Sequence, residues 1–205
     1  MTSIWGPLGW MTLHSMASLY PDTPTQSERQ LMVSWLDMFA ATITCPSCRE
    51  HFTELLGSYR QKYPNMLDSR STFLLFSFRA HNSVNARISK PIYSTVEQCF
   101  ELLRTNTRTR SATDYRNSYI NHIRRFWRTM QDMSGISAIK KIHEMAKIEM
   151  SYASPRTNNF EVIIPEDTVV MGRLPPPSGE PVRPVMVPSA IGRFRITGSG
   201  IRLQR

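Results

Sequence analysis

The chain has 205 residues, 40% hydrophobic and 20% charged, enough for one domain with appendages or for two small domains. No apolar run approaches the roughly 20 residues of a membrane span, and Met1–Trp10 lacks the basic and apolar regions of a cleavable leader, so classical secretion is not expected. The net charge is +9; residues 1–105 carry 9 Lys/Arg against 8 Asp/Glu, and the remainder carry 16 against 8. The basic half points to an anionic partner: nucleic acid, an anionic membrane surface or an acidic protein.

In chain order, Trp10, Leu13, His14 and Ala17 recur at helical spacing between Ser3 and Tyr20, and Tyr20-Pro21 ends that helix. Thr25-Gln-Ser-Glu28 reads as a capping box opening a second helix with Leu31, Trp35, Met38 and Phe39 on its apolar stripe. A third runs from Arg49 to Tyr59. A fourth starts at Asp68 or Ser69 and runs through Phe73, Leu74, Phe76, Phe78 and His81 to about Arg87. Ser94-Thr-Val-Glu97 reads as a capping box before a short fifth helix carrying Cys99, Leu102 and Leu103. Five helices with short connections make a bundle. Residues 105–113 are polar and read as a linker. Two further apolar series, Tyr119 to Met130 and Ile139 to Ile148, have helical spacing and are separated or kinked near Gly135. They form an extension that either packs on the bundle or stands as a small module. Beyond Ser151 lie eight of the 14 prolines, so 151–205 is expected to be an extended or disordered basic tail. Within it, Phe160–Ile164, Thr168–Met171 and Phe194–Thr197 are the segments with strand character.

Three cysteines, Cys45, Cys48 and Cys99, are too few for a disulfide framework. A close pair such as Cys45-Pro46-Ser47-Cys48 serves a metal or redox chemistry. A zinc site needs two further ligands at suitable spacing, and His51, His81 and Cys99 stand apart, so no metal is expected. Thioredoxin-type pairs follow a strand in a βαβ unit, whereas the upstream pattern here is helical. Pro46 suits the first turn of a helix, whose dipole and free N–H groups favour a thiolate at its N-terminus.

The pair sits between two other motifs. Trp5-Gly6-Pro7-Leu8-Gly9-Trp10-x-x-Leu13-His14 opens the chain. Cys45-x-x-Cys48-x-x-His51-Phe52 follows, and His81-Asn82-x-Val84-Asn85-x-Arg87-x-x-Lys90-Pro91-x-Tyr93 closes the series. In this order and spacing the chain resembles the Erv/ALR family of FAD-linked sulfhydryl oxidases over about residues 4–104. The resemblance implies an all-α fold: a four-helix bundle with a short fifth helix, holding FAD at its mouth. The helical extension and the Pro-rich tail lie outside it. It implies that Cys45 faces a thiol-containing client protein and Cys48 the flavin, electrons passing to O₂ to give hydrogen peroxide. Trp10 and His14, with Gly6 and His51 from the same motifs, border the flavin. His81, Asn82, Val84 and Asn85 line the adenine and ribose side, Arg87 and Lys90 lie near the pyrophosphate, and Tyr93 lies near the adenine.

Family members usually dimerise through the first two helices, where Met11, Met16, Met32 and Met38 are candidates for the face. The family's extra structural disulfide and shuttle CxxC are absent, and Cys99, on the apolar side of its helix, reads as a buried free thiol. These departures, with the Trp-Gly-Pro opening, resemble the members from large cytoplasmic DNA viruses. That implies action in the host cytoplasm or virion on virion proteins, with the mitochondrial intermembrane space as the alternative. Arg124, Arg125 and Arg128 around Phe126 and Trp127 form a mixture found on some nucleic-acid surfaces and more often on an amphipathic helix with a solvated charged face. For the basic second half a client-docking or assembly role comes first and nucleic-acid binding second. The competing classes are a structural or binding protein with an inert CxxC and a thioredoxin-like exchanger without flavin.

Overall fold

A computed structural model of the chain describes residues 2–164 together with 169 and 174. It contains seven α-helices: α1 (Thr2–Leu19), α2 (Gln26–Thr42), α3 (Pro46–Lys62), α4 (Arg70–Arg87), α5 (Val96–Thr109), α6 (Ala112–Trp127) and α7 (Met133–Ile148). A π-helical turn, Glu149–Ala153, ends α7. No strand occurs among the described residues, and no described helix is long and apolar enough to cross a membrane.

The helices begin where local chemistry directs. Thr25 accepts the Glu28 N–H while the Glu28 carboxylate accepts the Thr25 N–H, closing the expected box. Ser69 caps α4 through a box with Thr72, and Ser111 caps α6 by accepting the Asp114 N–H, each satisfying an orphan first-turn donor. The cap of α5 is Thr95 paired with Gln98, one residue later than the Ser94–Glu97 pair expected. In α1, every residue from Met11 to Leu19 is buried. A helix buried all round is a central one, and α1 lies between α4 on one side and α6 on the other.

The helix bounds and packing bear on three sequence readings, the second of which is open between packing on the bundle and a separate module. Residues 105–113 are not a linker: α5 runs to Thr109, and only Arg110 and Ser111 separate it from α6. Nor is the extension a separate module, because α6 lies along α1 and α7 along α2. Of the four methionines expected at a dimer face Met38 is half-buried, and Met11, Met16 and Met32 are at most 5% exposed within this one chain, so those three cannot form it. They are already covered.

The α6–α7 corner depends on Gly135. A β-carbon there would lie 2.1 Å from the Met130 carbonyl oxygen, so only glycine permits this approach. The break between the helices falls at 128–132, with Asp132 as the cap of α7. A buried polar network fixes the extension to the bundle. Arg116, with its side chain 1% exposed, donates from Nε to Glu149 at 2.7 Å and also bonds Ser15 of α1. Asn158 donates to Ser18 Oγ at 2.6 Å and to the Ser15 carbonyl at 2.9 Å.

The start of the expected disordered tail is therefore packed chain. Phe160, Val162 and Ile164 lie against the core, and Val169 is buried. Three apolar side chains on alternate residues suffice to hold an extended segment down, although Phe160–Ile164 forms no strand. Thr168, residues 170–171, Phe194–Thr197 and most of the Pro-rich stretch lie outside the described residues.

Candidate redox and cofactor site

Cys45 is the N-cap of α3, its sulfur accepting the Cys48 N–H at 3.3 Å, with Pro46 at the first helical position. The two cysteines are joined as a disulfide with Cα atoms 5.2 Å apart. The preceding turn is held from two sides. Arg49 donates to the Ile43 carbonyl at 2.9 Å, and Trp127 of α6 donates its indole N–H to the Thr42 carbonyl at 2.8 Å. The Arg49 guanidinium lies 5.3 Å from the centre of the Trp127 ring.

A cavity of about 630 Å³ opens beside the disulfide. Cys48 lines it and Cys45 does not, so the two sulfurs have different surroundings. Gly6, Trp10 and His14 of α1 and His51 of α3 contribute to its walls. So do His81, Val84, Asn85 and Arg87 of α4, with Lys90 and Tyr93 from the loop that follows. Asn82 is the exception. Its buried amide donates to the carbonyls of Tyr93 at 2.7 Å and Val169 at 3.3 Å, and accepts the Tyr93 N–H at 3.0 Å. Its amide thus clamps the loop that carries Tyr93. Asn85 ties the same loop through the Pro91 carbonyl at 3.1 Å.

That loop leaves α4 through a Schellman-type end: Lys90 N–H bonds Asn85 O at 2.8 Å and Ser89 N–H bonds Ala86 O at 3.3 Å. Ser89 occupies the left-handed region with φ 55°, where glycine is the usual residue. The sharp turn brings Lys90 and Pro91 to the cavity wall.

On the α1–α4 wall, Trp10 stacks on His81 with centroids 4.3 Å apart. Behind them runs an ordered hydrogen-bond chain. Ser77 spends its only proton on the Leu74 carbonyl at 2.8 Å, so it must accept from His14 Nδ1 at 2.9 Å. His14 Nε2 is then an acceptor and takes the proton of His81 Nδ1 at 3.0 Å. Neutral His81 is left with Nε2 as an acceptor. Burial, followed by Lys90, pushes His81 down to about 4, and burial, followed by His81, drives His14 well below its ordinary value. His51 is lowered by burial and by Arg87, partly offset by Glu54.

The sequence reading missed Leu102, Asn106 and Tyr115, which complete the wall from α5 and α6. Tyr115 is itself covered by Arg110, whose guanidinium lies 4.7 Å from the ring centre. An aromatic residue one turn inside an amphipathic helix was the only available signal, and nothing in it pointed to this cavity.

A disulfide at a helix N-terminus, opening on an aromatic-walled cavity within a helical bundle, defines a thiol–disulfide oxidoreductase with room for a large planar cofactor. The Erv1/Alr family matches residues 8–110, and the chain belongs to that family. An FAD-linked sulfhydryl oxidase of African swine fever virus is 34% identical over 113 residues, covering 54% of this chain and 92% of the viral protein. A protein of Invertebrate iridescent virus 3 named for the same activity is 35% identical over 88 residues. That match covers 43% of this chain and 58% of the relative, so the chain spans little more than half of that protein's length. An FAD-linked sulfhydryl oxidase of Saccharomyces cerevisiae is 31% identical over 88 residues, 43% of each chain. The cofactor of the family is FAD, and the residues present suit it. The cavity volume falls in the usual range for such ligands, its walls are aromatic, and Arg87 and Lys90 supply cations for a pyrophosphate.

Proposed function

We propose that the chain oxidises protein dithiols to disulfides through Cys45 and Cys48, with Cys45 receiving the client and Cys48 serving the cofactor. The observation that carries this reading is the asymmetry of the pair: Cys48 lines the cavity and Cys45, half-buried at the cap of α3, does not. A client thiolate attacks Cys45 Sγ, the Cys45–Cys48 bond breaks, and Cys48 leaves as a thiolate at the positive end of α3. The client's second thiolate then attacks its own sulfur in the mixed disulfide and releases Cys45 as a thiolate. FAD, when bound, would supply the two-electron acceptor that restores the disulfide, with O₂ as the final acceptor and hydrogen peroxide as the product. Arg87 and Lys90 would hold the pyrophosphate, and Trp10, His14 and His81 would border the ring system. Gly6, His51, Val84, Asn85 and Tyr93 would complete the enclosure. Asn82 positions Tyr93.

The named viral relatives and the absence of extra cysteines support a viral enzyme that makes virion disulfides in the host cytoplasm. A homodimer would need a surface other than the covered methionines.

Purified protein tests the reading. It should be yellow with a flavin spectrum and consume oxygen on addition of dithiothreitol, and Cys48→Ser should keep the colour and lose turnover. Colourless protein that takes up no oxygen even with added FAD would refute it.

A further inference from the structure

The α6–α7 corner gathers exposed apolar side chains in a cationic setting. Met130, Met133 and Ile136 are 41%, 78% and 49% exposed within seven residues of chain. Around them, residues 121–141 hold five cations, Arg124, Arg125, Arg128, Lys140 and Lys141, against one acid, Asp132. Asp132 is already engaged, accepting the Gly135 N–H at 2.8 Å and the Ser134 hydroxyl at 2.6 Å. Arg125 and Arg128 are exposed, and no ion pair to either occurs among the described residues.

The corner is tied to the redox turn. Trp127, the last residue of α6, is bonded to Thr42, three residues before Cys45, and lies by Arg49, one residue after Cys48. Gly135 lets α7 close tightly on Met130, which fixes the patch relative to that anchor.

We infer that the α6–α7 corner docks the client: a dithiol-bearing polypeptide segment with apolar side chains flanked by Asp and Glu. This rests on the oxidase reading above. Methionine and isoleucine offer an adaptable apolar contact, and the unpaired arginines select the sign of the flanks and speed encounter. A phosphate backbone would desolvate Met130, Met133 and Ile136 without return, since its contacts are polar. A second copy would bring a molecule of net charge +9 against a cationic patch. An anionic bilayer satisfies the charge but leaves the anchoring beside Cys45 without purpose.

The test uses the full chain with FAD and three reduced peptides that share one apolar Cys-x-x-Cys core, flanked by Asp/Glu, Ser or Lys. The Asp/Glu-flanked peptide should have the lowest KM. Arg125→Glu with Arg128→Glu should raise that KM about tenfold, leave kcat and dithiothreitol oxidation unchanged, and shift preference toward the Lys-flanked peptide. Met133→Ser with Ile136→Ser should raise KM for all three peptides. A fluorescent cysteine-free Asp/Glu peptide reports docking without turnover, by anisotropy, and its binding should weaken in both variants. Equal KM values across the peptides, or no anisotropy change with the labelled peptide, would overturn the inference even in an active oxidase. So would tighter binding to duplex DNA or phosphatidylserine vesicles than to that peptide. Loss of dithiothreitol oxidation in the wild type would instead strike the oxidase reading, and the anisotropy measurement would still decide the docking surface.

Discussion

The histidine chain behind the cavity makes a quantitative prediction about acid. His81 keeps its proton on Nδ1 for His14, and its imidazole is held neutral down to about pH 4. In the unfolded chain the same group takes up a proton near 6.5. Between those values the unfolded state binds a proton that the folded state does not, so the stability is fully present above 6.5 and falls as the pH drops toward 4. For His81 alone the loss between neutral pH and pH 4.5 is about 2–3 kcal/mol, at 1.36 kcal/mol for each pKa unit. His14 adds to it in the same direction, as its value is also lowered. His81→Phe preserves an aromatic ring against Trp10 and removes the titration. Guanidinium denaturation of flavin-free wild type and His81→Phe at neutral pH and at pH 4.5 gives the four stabilities needed. The wild type should lose about 2–3 kcal/mol more than the variant on acidification. Equal losses would show that His81 is not held neutral and would refute the assigned chain of donors.

Three other outcomes follow from the packing. Arg116→Met should destabilise by about 3–5 kcal/mol, read by denaturant melts, since it strands Glu149 as a buried unpaired carboxylate. Gly135→Ala should lower stability by about 2–4 kcal/mol and weaken the seating of Trp127, seen as a change in tryptophan fluorescence. Cys99 is buried with its thiol pushed up to about 12, so in native protein it should resist a thiol reagent that reacts readily after denaturation, and Cys99→Ala should leave turnover unchanged.

Much of the bundle was legible because its signals are local. The Thr25–Glu28 box and the Ser69 cap involve side chains three residues apart, and the CPSC pair announced a helix start through Pro46. What misled was composition read without tertiary context. Thr105, Arg108 and Thr109 are exposed on the last turns of α5 while Asn106 turns inward, and a polar helix end resembles a linker when its apolar partners are counted separately. Met11, Met16 and Met32 formed a plausible external face only while the helices that cover them were unplaced. At the site, the motif residues Trp10, His14, Cys48 and His81 line one cavity, and Asn82 of the same motif binds the backbone of the loop that carries Tyr93. Tyr115 was beyond reach, because its place at the cavity depends on how α6 crosses α1.

The bonds from Ser15 to Arg116 and Asn158 also bear on the order in which the molecule can be made. α1 leaves the ribosome ahead of the other described helices, yet its polar groups find their partners 101 and 143 residues later. Until the chain has emerged past Asn158, a helix whose second half is destined to be buried on every side stays partly bare, with Tyr119 not yet against Gly9. Contacts so distant in sequence slow folding and lengthen the exposure of apolar surface. The newborn protein should therefore be most vulnerable to aggregation and proteolysis while its redox bundle is already synthesised but its last helices are not. Arrested nascent chains of increasing length would show protease resistance of α1 appearing only after residue 158 has cleared the exit tunnel.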